Sequence, residues 1–146
     1  MIDKFTLYRF TAPFRSRLQN RLRRERLNID ADVFARGFED SRIDPGLQAD
    51  GIWLLWELLR EAAFISDFRP DPDDSLSAVY AMGPEEVRDD VIEPLLAKLG
   101  LSTSGIDFTG FDFSSIVTPK DVLAFVMKVA DAQNGKGKRR FVDMAK

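Results

Sequence analysis

The chain has no cysteine and no histidine. Without cysteine there is neither a disulfide framework nor a thiolate metal site. The absence of histidine counts against two common kinds of active site, the serine nucleophile that relies on an imidazole base and the catalytic zinc held by imidazole ligands. What stays open to an enzyme of this composition is carboxylate chemistry, either carboxylate-assisted hydrolysis or a carboxylate-bound magnesium ion, because 24 acidic residues are present. No apolar run approaches the roughly 20 residues that span a bilayer. The opening MIDKFTLYRFTAPF lacks the charged flank, apolar block and small-residue cleavage site of a signal peptide. Internal repeats, a phosphate-cradling glycine loop, a dinucleotide fingerprint and a nucleophile elbow are also missing. The expectation is a cytoplasmic, non-catalytic protein with no membrane segment.

What is present suits a globular domain. The 146 residues are 45% apolar and 31% charged, with twelve phenylalanines and two tryptophans to fill a core. The net charge of −3 hides a strong segregation. Residues 1–26 hold eight Lys/Arg against Asp3 and Glu25, and residues 134–146 hold five against Asp143. The stretch between them carries eight basic against 21 acidic residues. A basic arm, an acidic body and a basic tail favour electrostatically steered contacts. Self-neutralisation, with the arm lying on the body, is the simplest use of this layout. Nucleic-acid binding is disfavoured, because the arm lacks a base-reading motif.

Hydrophobic spacing predicts an all-α chain. Pro13 opens a helix, with Thr11 as its cap, in which Phe14, Leu18 and Leu22 recur every four residues. Asp30 and Asp32 begin a second helix that uses Val33, Phe34 and Phe38, and residues 37–46 form a connector. Asp50 is expected to cap the strongest helix, GIWLLWELLREAAFISDF, whose face is Ile52, Leu55, Trp56, Leu59 and Ala63, widened by Trp53 and Leu54. A Pro/Asp loop over 69–75 leads to an anchored segment, Leu76 to Tyr80. Gly83-Pro84 starts the next helix, with Val87, Val91, Leu95 and Leu99 buried, Pro94 kinking or splitting it, and Gly100 stopping it. The loop 102–115, rich in phenylalanine, should fold back onto the core. Thr118-Pro119-Lys120-Asp121 then caps a last helix built on Val122, Phe125, Val126 and Val129. The tail 134–146 is expected to be flexible.

Over residues 49–133 these elements resemble the acyl carrier protein family, in a divergent form. Asp73-Asp74-Ser75-Leu76 matches the family's loop anchor, Leu99-Gly100-Leu101 the end of its second helix, and Thr118-Pro119-Lys120-Asp121 the start of its fourth. The resemblance implies a four-helix bundle, here with an N-terminal helical extension, residues 1–48, packed on it. It also implies a phosphopantetheine-bearing serine at the start of the second helix. There the sequence reads Met82-Gly83-Pro84-Glu85-Glu86-Val87, with two glutamates in place of the serine.

Asp74-Ser75-Leu76 is a literal modification motif, but a helix from Ser75 would meet Gly83-Pro84 after about two turns, too soon for the recognition helix of a carrier. Phosphopantetheine on Ser75 is therefore disfavoured, and a turn or cap is the expected role. Asp67, Asp71, Asp73 and Asp74 are read as a solvated turn, without the glycine and distal glutamate of a calcium loop. Arg21, Arg23, Arg24 and Arg26 are the residues that would grip a phosphate, their default being a solvated helix back paired with the acidic body. Trp53, Trp56 and Phe64 are read as core, with an apolar-ligand pocket as the sharper alternative. The candidate partner surface is the acidic helix face Glu85, Glu86, Asp89 and Glu93, facing a protein with a basic surface. The alternative function is a small acidic binding protein of the immunity or antitoxin type that masks a basic partner.

Overall fold

A computed structural model of the chain describes residues 16–38, 45–103, 106–133 and 139–140. It is all-α. The Thr11-Pro13 helix start, part of the 37–46 connector and most of the tail lie outside the described residues. Helix α1 is described over residues 16–25, and α2 is Ala31–Arg36. Helix α3 is Pro45–Ala62 and α4 is Leu76–Tyr80. Helix α5, Pro84–Glu86, continues through a π-helical stretch, Val87–Ile92, into α6, Glu93–Lys98. A 3-10 turn at Phe113–Ser115 precedes α7, Pro119–Gln133. The only extended pairing among the described residues is a two-residue parallel one, Ile106 with Arg139 and Asp107 with Arg140. Those two arginines of the expected flexible tail are thus paired.

Local chemistry explains the helix ends. Asp30 caps α2, its Oδ1 accepting from Val33 N at 2.9 Å. At α7, Thr118 Oγ1 accepts from Asp121 N at 3.3 Å while Asp121 Oδ2 accepts from Thr118 N at 3.1 Å, a reciprocal capping box. Gly100 adopts φ +70, the left-handed conformation that ends a helix and that glycine adopts without steric cost.

Helix α3 corrects three expectations. It begins at Pro45, not after Asp50, because proline fits the first helical turn, where no amide donor is required. It also ends at Ala62, leaving 63–68 to a turn. Trp53 does not widen its buried face: the side chain is 54% exposed, whereas Trp56 is 5% exposed and packs on Phe34 with ring centroids 5.2 Å apart. Around α2 likewise, Phe34 in the helix and Phe38 just after it are buried but Val33 points outward.

Pro94 neither breaks nor splits its helix. Proline cannot donate to the carbonyl four residues back, and its ring would crowd that carbonyl. The chain answers with the wide π turn just before it, where Glu93 N donates to Arg88 O, five residues back. Val87, Val91, Ile92, Leu95 and Leu96 are buried along this helix, with Leu99 half-buried.

The core joins α3, the α5–α6 helix and α7 through Leu55, Leu59, Val91, Leu95, Val122 and Val126. The phenylalanine-rich loop folds back as expected: Phe108, Phe111 and Phe113 surround Phe125 at centroid distances of 5.7, 5.3 and 5.6 Å. The two tryptophans of α3 should therefore behave very differently. Trp56→Ala is expected to cost about 3–5 kcal/mol and Trp53→Ala less than about 1 kcal/mol, measured by urea denaturation. Equal losses would contradict this packing.

Candidate functional site

The candidate surface lies on the helix that starts at Pro84. Gly83 is its N-cap in an extended conformation, and Pro84 takes the first position. Glu85, Asp89 and Glu93 are exposed and gather about one cation, Arg88, which the sequence reading did not include. Arg88 Nε donates to Asp89 Oδ1 at 2.9 Å. The hydrogen bond and charge of Asp89 are the main causes that raise the Arg88 pKa above its ordinary value, with Glu93 and Glu85 adding smaller contributions. Asp90 is exposed on the same helix. The face is thus acidic but carries an exposed cation among its carboxylates.

Glu86 stands apart from the other three. It is half-buried, and its carboxylate folds back over the helix start, with Oε2 2.9 Å from where a Cβ on Gly83 would lie. An acid there favours the helix dipole, so Glu86 has a local structural use.

Ser75 is the N-cap of α4. Its Oγ accepts from Ala78 N at 3.1 Å and lies 3.2 Å from Ser77 Oγ. Leu76 beside it is buried and donates its N–H to Val117 O at 2.9 Å. These contacts give the Asp-Ser-Leu triplet a structural role.

Asp74 overturns the reading of its loop as solvated. Its side chain is 2% exposed and forms a two-pronged pair with Arg26, with Nη2 to Oδ1 at 2.6 Å and Nη1 to Oδ2 at 3.0 Å. Oδ2 also accepts from Tyr80 Oη and from Asp71 N, both at 3.0 Å. Arg26 donates further to Arg69 O at 3.0 Å and lies over the Phe68 ring. The rest of the acidic loop is also engaged: Asp71 Oδ1 accepts from Asp73 N at 2.8 Å, and Asp73 pairs with Lys120 at 2.9 Å. No group of three or more metal-ligating side chains occurs among the described residues.

The arginine run in and just after α1 follows its default reading, with Arg26 paired to Asp74 of the acidic body and Arg21 and Arg24 exposed. Trp53, Trp56 and Phe64 do not form a common core: Trp56 is buried, Trp53 is exposed, and Phe64 is half-buried with its N–H donated to Gln19 Oε1 at 2.8 Å. Gln19, which sequence reasoning missed, is fully buried and donates from its other end to Val79 O at 2.8 Å. A polar residue between Leu18 and Leu22 gives no periodic signal of such a role.

No known protein family matches the chain, and neither does any curated protein or solved structure. No helix among the described residues is long and apolar enough to cross a membrane.

Tyr80 connects this network to pH. Burial first, then the charge and hydrogen bond of Asp74, raise its pKa well above the ordinary phenol value of 10.0, with Arg26 opposing. A folded-state pKa above the unfolded one means that the contribution to stability is complete below pH 10 and is lost as pH rises through the folded value. The chain's other tyrosine is Tyr8. In a Tyr8→Phe protein, phenolate absorbance is therefore expected to appear only well above pH 10.0 and together with loss of the helical circular dichroism. Ionisation near pH 10 with the helical signal intact would contradict the buried Tyr80–Asp74 bond.

Proposed function

We propose that this chain is a non-catalytic, acyl-carrier-like protein of the cytoplasm that works by protein–protein contact, without phosphopantetheine. The carrying observation is the exposed acidic face on which Glu85, Asp89 and Glu93 gather around Arg88. Such a face suits a partner with a basic surface, because complementary charge steers encounter and fixes register. Arg88 adds selectivity, since a partner that also offers an acceptor near its basic groups avoids repulsion by this cation.

The order of elements supports the carrier-like reading. A long helix (α3) is followed by a loop holding a short helix (α4), then by a helix opening at Gly83-Pro84, a loop with a 3-10 turn, and a last helix (α7). Ser75 lies one element before the helix start at which a carrier presents its prosthetic group, and its oxygen caps α4. The partner surface is accordingly assigned to Glu85, Asp89 and Glu93, with Glu86 as a flanking residue that also serves the helix start.

Charge reversal separates recognition from folding. The Glu85→Lys/Glu93→Lys protein is expected to lose partner capture at low salt. Its stability should fall by about 1 kcal/mol at most, from the altered dipole contact of Glu85 in the first turn. Raising the salt should weaken the wild-type complex as well. Capture that survives both changes would remove the acidic face from the account. A captured partner that is a cationic toxin neutralised by binding would instead assign the chain to the immunity or antitoxin class.

A further inference from the structure

We propose a second, oppositely charged site: a phosphate-binding cradle made by Arg23, Arg60 and Arg69, in which Asp67 occupies the position of the anion. The three arginines come from α1, from α3 and from the loop after it, and converge on the turn at 66–69. Each guanidinium is steadied by a backbone carbonyl. Arg23 Nη1 donates to Ser66 O at 3.0 Å and Arg60 Nε to Phe68 O at 3.2 Å. Arg69 Nη1 donates to Leu27 O and, at 3.1 Å, to Ile29 O. Guanidiniums held this way lose less freedom when an anion arrives, and their flat donor forks suit phosphate oxygens.

The Asp67 carboxylate, placed between Arg60 and Arg69, is a weak occupant. Asp67 is 62% exposed, with Arg60 Nη2 at 3.2 Å and Arg69 Nη2 at 3.9 Å, the latter too long for a hydrogen bond. Exposed pairs of this kind contribute little, so displacing Asp67 into solvent costs little. Buried Asp74, by contrast, is fully engaged and does not compete for these arginines, because its partner is Arg26. A phosphate group carries more charge and more acceptor oxygens than a carboxylate and can meet three guanidiniums at once. Arg23 comes from the run read in the sequence as able to grip phosphate. Its two collaborators lie about 40 residues away along the chain, where only the fold brings them near.

Inorganic phosphate is the probe, titrated against potassium chloride at matched ionic strength. The readouts are melting temperature and the arginine Nε–Hε signals in NMR spectra. Wild-type protein is expected to show a phosphate-specific rise in melting temperature, with signal shifts centred on Arg23, Arg60 and Arg69. Asp67→Asn removes the competing charge and should tighten binding by about tenfold. Arg60→Gln should abolish the effect while the protein remains folded, as judged by circular dichroism. A folding defect in that variant would move the test to Arg23→Gln, whose side chain makes one exposed bond. Binding unchanged by Asp67→Asn, shifts confined to other arginines, or no phosphate-specific effect even in Asp67→Asn would each overturn the proposal.

Discussion

The buried pair between Arg26 and Asp74 is the constraint on which the rest of the arrangement depends. Removing a guanidinium and a carboxylate from water costs several kcal/mol per ion, and the mutual attraction repays this only when the geometry is good and the spare donors and acceptors are used. Here they are used: Asp74 accepts four hydrogen bonds, from Arg26 twice, Tyr80 and Asp71, and Arg26 also reaches the Arg69 carbonyl. Burial lowers the Arg26 pKa, but the Asp74 hydrogen bond and charge outweigh it, so the net shift is upward and the guanidinium stays charged. Gln19 adds a second buried polar tie from α1 to the segments around Phe64 and Val79. Directional contacts of this kind set how α1 lies against the body more sharply than the partly buried Leu18 and Leu22 alone.

Several elements were legible in the sequence because their causes are local. The Asp30 cap, the Thr118–Asp121 box, the Gly100 stop and the return of the phenylalanine loop all follow from residues close together in the chain. Long-range choices were not legible. Asp74 sits among other acids and reads as solvated, because nothing near it in sequence announces Arg26, which lies 48 residues away. Trp53 and Trp56 are three residues apart and share one helical face by spacing alone. The partner that buries Trp56, Phe34, belongs to a different helix and does not reach Trp53 in the same way. Pro94 predicted a disturbance, but its form, a π turn that preserves the helix, depends on the core holding Val91 and Leu95 on either side.

The candidate surface was partly legible in the same sense. The acidic residues were evident by count, whereas the exposed cation Arg88 and the inward fold of Glu86 required the three-dimensional arrangement. The chain's segregated charge is therefore spent in two ways. Part of it fastens α1 to the body through the buried pair. Part of it remains at the surface, as an acidic face at the start of the α5–α6 helix and an arginine cradle at the 66–69 turn.

A double-mutant cycle on the buried pair tests the central claim most directly. Urea denaturation of Arg26→Ala, Asp74→Ala and the double variant would measure the coupling between the two side chains. Each single change is expected to cost about 3–5 kcal/mol, since it strands a buried charge or empties its site. The double change should cost no more than the worse single, which gives a strong coupling energy. Additive losses, or single losses within about 0.5 kcal/mol of wild type, would show that Arg26 and Asp74 do not hold the fold together.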